Sequence, residues 1–273
     1  MTEPAPPQTR AAAADHVQSL ARGLAVIRAF DADHPRRTLS EVARATDLTR
    51  ATARRFLLTL VELGYVRTDG TTFAPTPRVL DLGYSYLSSL SLPEIAGPHL
   101  EALTARVHES SSVSVLDDLD VVYVARVPVS RIMTVSITIG TRFPAYATSM
   151  GRVLWAGVDE NALADLLART DLRDLTGRTV TTESSLRAEL DRVRAQGFCI
   201  VDQELEIGLR SVAAPLHGHG GAVTAAVNIS TPAARYSLDE LRTTVVPALL
   251  STAAAIDADL ARVASRSDAA RTS

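Results

Sequence analysis

Residues 38–74, TLSEVARATDLTRATARRFLLTLVELGYVRTDGTTFA, constrain the fold more than any other stretch of the chain. They read as two short helices, a tight turn and a two-stranded wing. Thr38 and Glu41 form a T-x-x-E capping box that opens the first helix, with Val42 and Ala45 as its apolar edge. Asp47-Leu48 makes the turn. Thr49 is placed to cap the second helix, which aligns Ala53, Phe56, Leu57, Leu60 and Leu63 at helical spacing before Gly64 stops it. The segments YVRT and TTFA flank Asp69-Gly70, a strong hairpin signal. A helix-turn-helix followed by a wing offers a helix of major-groove size, and so predicts contact with duplex DNA.

Charge points the same way. Between Pro35 and Arg67 there are seven arginines and three carboxylates, net +4, while the whole chain is −3, which leaves −7 for the remainder. A basic module on an acidic protein is the electrostatic footprint of phosphate binding. The candidate DNA-contacting residues are Thr38, Thr49, Arg50, Thr52, Arg54, Arg55 and Arg67, the last in the wing. The bland alternative is a solvated helix face in an ordinary helical subdomain.

The 273 residues allow one large domain or two ordinary ones, and an apolar fraction of 46% supports real cores. Cys199 is the only cysteine, which excludes an internal disulfide and a cysteine-based metal cluster. His217 and His219 lack a nearby third ligand and read as a glycine-rich turn. No metal, cofactor or catalytic triad is expected. No apolar run approaches about 20 residues, so no membrane span is expected. Residues 1–14 lack the features of a signal peptide, so a cytoplasmic protein is expected.

The predicted organisation is a disordered tail (1–14), a winged helix-turn-helix domain (15–77), a linker helix (78–90), a second domain (91–264) and a second disordered tail (265–273). A helix over 17–30 should present Val17, Leu20, Leu24, Ile27 and Phe30 to the module. The linker carries Val79, Leu82 and Tyr86 as an apolar stripe suited to dimer contact. Ser91-x-x-Glu94 opens the next helix. Strands are expected at 112–117, 121–127, 132–138, 198–201, 211–216 and 222–230, with helices at 151–156, 161–168 and 183–196. Ser237-x-x-Glu240 starts a final helical region that Pro247 should kink or break. This is an α+β domain with a mostly antiparallel sheet.

Two features of that domain suggest a ligand. The loop 140–151, GTRFPAYATSMG, runs from a strand into a helix, and the free N–H groups of such a start suit a carboxylate. Arg142 or Arg152 would add positive potential. Asn228 and Ser230 share one face of a core strand and need partners there or line a cavity. The segment DQELEIGLRS (202–211) reads as a loop tied by local charge pairs, and a routine helix cap is the more economical reading of the first feature.

Together with the winged module, the segments ARVPVSRIMTVSITIGTRFPAYATSMGRVLWAG, DLRDLTGRTVT and VDQELEIGLRSVAAPL resemble the IclR family of bacterial transcriptional regulators over roughly residues 17–262. They look most like its β-ketoadipate-pathway subgroup (PcaR, PcaU, PobR). The resemblance implies a dimeric or tetrameric DNA-binding protein with a C-terminal GAF-like effector-binding domain, joined to the winged helix-turn-helix by the linker helix. It implies an effector pocket from Ser149, Met150 and Gly151, then Leu209 and Ser211, then Asn228 and Ser230. Its partners would be an operator duplex and a small aromatic or dicarboxylic acid such as protocatechuate, 4-hydroxybenzoate or β-ketoadipate. Asn228 stands where some relatives have serine. Regulation of another carbon pathway, or a ligand-binding protein or enzyme that ignores DNA, stays open.

Overall fold

Thr38 caps the first helix as its T-x-x-E spacing predicts: its hydroxyl accepts from the Glu41 N–H, and the Glu41 carboxylate accepts from the Thr38 N–H at 2.7 Å. The computed structural model describes residues 17–82, 92–129, 137–218 and 220–271, with side chains through 263. The chain divides into two units, 1–88 and 89–273.

In the first unit, α1 (Gln18–Arg28) precedes β1 (Arg37–Thr38), α2 (Leu39–Ala45) and α3 (Arg50–Glu62). The hairpin β2 (Val66–Thr68) and β3 (Thr72–Pro75) follows, and β1 joins it in the order β1-β3-β2. The two-residue β1 carries too short a pattern to read from sequence. Asp47 turns the chain between α2 and α3 at φ 53°, and Gly64 ends α3 at φ 80°. Val26, Val42, Leu57, Leu60, Val66 and Phe73 form the core.

Three sequence expectations change here. Ala43, not Ala45, is buried with Val42. Leu63 is half-exposed, beyond the last turn that packs. Val17, Leu20 and Leu24 are exposed, because only the C-terminal half of α1, through Val26, Ile27 and Phe30, reaches the core. The hairpin tip also shifts by one residue. Thr68 pairs with Phe73, which leaves Gly70 and Thr71 at the tip. Asp69 instead closes the turn, accepting from the Thr72 N–H and hydroxyl and the Thr71 N–H, which hold its carboxyl down to about 2. A 3-10 turn, Pro77–Val79, leads into helical residues 80–82. The rest of the expected linker helix, including Tyr86, lies outside the described residues, as does Ser91, the expected cap of the next helix.

The second unit is built on a six-stranded antiparallel sheet in the order β6-β5-β4-β9-β8-β7. The strands are β4 (Ser110–Asp117), β5 (Asp120–Val127), β6 (Arg142–Pro144), β7 (Cys199–Asp202), β8 (Leu209–His217) and β9 (Val223–Pro232). The expected strand at 132–138 falls largely on residues outside the description, and the edge strand β6 was not anticipated. Helix α4 (Leu92–Val107) and the C-terminal helix α8 (Val246–Arg271) pack on one face. Helices α5 (Ser149–Ala156), α6 (Glu160–Arg169) and α7 (Glu183–Gln196) build the other layer around Met150, Trp155, Leu163, Leu186 and Leu190. Cys199 is a buried core residue whose thiol burial pushes up to about 12, so it is inert.

Strand alternation sorts the serines of β4. The Ser111 hydroxyl donates to the Leu100 carbonyl of α4, while the Ser114 hydroxyl donates to Met150 Sδ of α5 at 3.1 Å. Ser110, Ser112 and Ser114 therefore face α5.

The Ser237–Glu240 capping box is formed. Ahead of Pro247 the helix widens to a π turn, Leu241–Val245, and then continues as α8. Proline lacks the N–H that would bond back to Thr243, which is where the ladder changes. The helix continues to Arg271. The stretch Leu238–Val263 is long and apolar enough by composition to cross a membrane, contrary to the sequence expectation. Its apolar stripe, with Leu241, Val245, Leu249 and Ile256 fully buried, is instead core against α4 and β8. Asp257 and Asp259 tie it to His217 and His99.

Candidate functional site

The loop 140–151 resolves into β6, a 3-10 turn Ala145–Ala147, and α5 capped by Thr148. The Thr148 hydroxyl accepts from the Gly151 N–H at 3.0 Å, so that donor is spent inside the protein. Gly151 serves packing: a Cβ there would lie 2.1 Å from the Ala145 carbonyl oxygen. The N–H groups of Ser149 and Met150, the first two residues of the helix, remain without an intrahelical acceptor.

Six of the seven expected effector residues meet at one pocket. Ser149 and Met150 come from α5, Leu209 and Ser211 from β8, and Asn228 and Ser230 from β9. Gly151 is the exception. Tyr123 and Phe143, packed edge to face at 5.8 Å, supply an aromatic wall that sequence reading missed, since β6 was not foreseen. Leu205 and Glu206 also line it. The side chains close over the cavity, leaving about 20 Å³, room for one water. A bound acid would have to part them.

Strand register sets polar rows on this face of the sheet, of which Ser211, Asn228 and Ser230 reach the pocket lining. Ser110, Ser230 and Ser211 form one row across β4, β9 and β8, and Arg126, Ser112 and Asn228 form the next across β5, β4 and β9. Asn228 is 2% exposed; its Nδ2 donates to Ser230 Oγ at 3.1 Å, and its Oδ1 is buried without a partner. Arg126 donates through Nη1 to Ser112 Oγ at 3.1 Å, while its Nε is buried and unpaired. Burial pulls the Arg126 guanidinium down from its usual pKa. Among the described residues no carboxylate reaches it. A half-buried arginine without a carboxylate partner is a cation that a bound anion would complement.

The arginines expected from sequence to serve the pocket are otherwise engaged. Arg152 is 1% exposed and makes a bidentate pair with Glu204, at 2.8 and 2.5 Å, while its Nε donates to the Tyr146 carbonyl. Arg142 sits on the sheet edge, bound to Asp117 and Asp120. The 202–211 loop is tied locally through Asp202–Arg210, as expected, but Glu204 reaches 52 residues back in sequence. Chain separation hides such a pair from any reading of local spacing.

The first unit presents a different surface. Arg50, Arg54 and Arg55 are exposed on the outer face of α3, and Arg67 is exposed on the wing beside Arg36. The ion pairs among this unit's described residues are His34–Asp31, Arg36–Asp69 and Arg37–Asp31, none of which involves α3. Thr49 caps α3 through the Thr52 N–H, and their hydroxyls are 2.9 Å apart. The Thr38 hydroxyl is committed to its own cap.

Two family models cover these units. The IclR helix-turn-helix domain matches residues 19–70, and the model described as "Bacterial transcriptional regulator IclR C-terminal" matches 84–258. The chain belongs to the IclR family. It is a DNA-binding transcriptional regulator, with a C-terminal effector domain and not an enzyme's active site. It is 44% identical to the Pca regulon regulatory protein of Pseudomonas putida over 87% of this chain and 82% of that one. A crystal structure of a provisionally described transcriptional regulator from Rhodococcus sp. RHA1 is 67% identical, with a TM-score of 0.83, covering 91% of this chain and all of that one. An IclR homologue from Microbacterium hydrocarbonoxydans, solved in complex with 4-hydroxybenzoate, is 25% identical with a TM-score of 0.80, covering 89% and 99%.

Proposed function

We propose that this IclR-family chain regulates aromatic-acid catabolism of the β-ketoadipate type and that a small carboxylate in the α5 pocket controls it. The observation that carries this reading is the convergence of Ser149, Met150, Leu209, Ser211, Asn228 and Ser230, from three distant stretches, on one pocket with an aromatic wall. A pocket of apolar walls with a few fixed polar groups suits a small aromatic acid. The Pca regulon role of one relative and the 4-hydroxybenzoate bound to another agree with it. The ligand's carboxylate has two sources of attraction, the free N–H groups at the start of α5 and, behind the lining residues, the Arg126 guanidinium, whose Nε has no partner. Glu206 on the lining repels it and so helps orient it.

In this reading Arg50, Thr52, Arg54 and Arg55 face the major groove and Arg67 holds the backbone beside it, with Thr38 and Thr49 setting the pose of the two helices. The protein acts as a homodimer or tetramer in the cytoplasm, because two modules are needed to read a palindromic site. The exposed Leu82 belongs to the expected seam.

Calorimetry on the full chain tests the ligand. Protocatechuate, 4-hydroxybenzoate and β-ketoadipate are titrated in turn, with wild type and with Arg126→Met. Saturable heat is expected from at least one acid, weakened about tenfold or more by loss of a charge-assisted contact. Absence of heat with all three would discard the effector reading and leave the family unchanged.

A further inference from the structure

We infer that Asn228 is a specificity-determining residue that makes the pocket select acids carrying a hydroxyl donor over acids that carry only acceptors. The inference rests on the pocket being the effector site and goes further in naming the chemistry chosen there.

Asn228 lies in the middle of β9, between Ser112 of β4 and Ala213 of β8 in register. Its amide is fixed from one side, because Nδ2 donates to Ser230 Oγ. That bond orients Oδ1 as the free end, buried, facing a pocket that the same residue lines, with no donor among the described residues. Neighbouring groups do not supply one. The Ser114 hydroxyl is spent on Met150 Sδ, the Ser111 hydroxyl points to α4, and no other described donor comes within hydrogen-bond reach of Oδ1. A buried carbonyl oxygen left unpaired is costly, and the cost is recovered only by a ligand that donates.

The candidate effectors differ in just this respect. At neutral pH 4-hydroxybenzoate and protocatechuate each offer a carboxylate and at least one phenolic O–H. β-Ketoadipate offers two carboxylates and a ketone, all acceptors, and benzoate offers a carboxylate alone. A ketone or carboxylate oxygen set against Asn228 Oδ1 would be repelled. A phenol donates to it, while the carboxylate turns to the N–H groups of Ser149 and Met150 at the start of α5. Sites that hydrogen-bond a ligand hydroxyl discriminate strongly against the analogue lacking it, whereas apolar pockets do not.

The test uses the full chain and four acids, 4-hydroxybenzoate, protocatechuate, benzoate and β-ketoadipate, by calorimetry. Wild type is expected to bind the better hydroxylated acid on the order of 10- to 100-fold more tightly than benzoate or β-ketoadipate. Asn228→Leu, which removes the acceptor, is expected to bring the 4-hydroxybenzoate to benzoate ratio close to one. Equal wild-type affinity for benzoate and 4-hydroxybenzoate overturns the inference, as does tighter binding of β-ketoadipate, and neither result depends on a variant that folds. A folded Asn228→Leu that keeps the full wild-type ratio also overturns it. In each of those cases an acid still binds and the effector reading survives. No binding by any acid overturns both.

Discussion

Glu204→Ala is expected to destabilise the effector domain by about 3–5 kcal/mol, the loss typical of removing one partner from a buried ion pair. The loss comes from Arg152, which keeps its charge in a site 1% exposed and loses both carboxylate contacts. The Glu204 carboxylate also accepts from the Val180 N–H, a bond lost with the side chain, while the Thr176 and Thr179 hydroxyls keep their backbone acceptor. Trp155, the sole tryptophan, lies in the same helix as Arg152 and reports the transition by fluorescence. Urea unfolding of wild type and variant measures the difference. A loss below about 1 kcal/mol, the scale of an exposed pair, would contradict the buried-pair account.

Replacing Arg50, Arg54 and Arg55 together by alanine is expected to abolish specific DNA binding. Each base-reading arginine contributes about 1–3 kcal/mol, and each phosphate contact contributes to the salt dependence. The three are exposed, lie on one face of α3 and have no acidic partner among the described residues, so their charge is available to DNA. Because they point away from the core of Val26, Leu57 and Leu60, the variant should fold normally. Anisotropy titration of a fluorescent duplex, enriched from a random pool by the wild-type protein, checks this. Affinity within about twofold of wild type would move the DNA-reading surface off α3.

The features that sequence made legible were those set by neighbours in the chain. The Thr38 and Ser237 capping boxes, the Thr49 cap and the glycine stop at Gly64 each involve residues a few positions apart, and each was found where its spacing placed it. The strands β4, β5, β8 and β9 came from alternation and β-branched content. The hairpin tip missed by one residue, because Asp69 spends its side chain closing the turn instead of occupying it. Pocket membership came through family resemblance, the helix start of α5 came from local sequence, and the roles of the arginines did not. Arg152 looked available beside the helix start but is consumed by Glu204, and Arg126 was passed over inside an ordinary strand sequence. What makes Arg126 and Asn228 stand out is one buried atom each, Nε and Oδ1, left without a partner, which depends on packing across strands and not on local sequence.

A regulator that carries both a DNA-reading surface and an acid-binding pocket must couple them, and that coupling is the most direct test. The measurement is the affinity of the full-length wild-type protein for the enriched duplex, at fixed salt, with and without saturating 4-hydroxybenzoate or protocatechuate. The account predicts a shift of about fivefold or more in one direction, the scale of allosteric coupling. An affinity unchanged by an acid that calorimetry shows to be bound would contradict it.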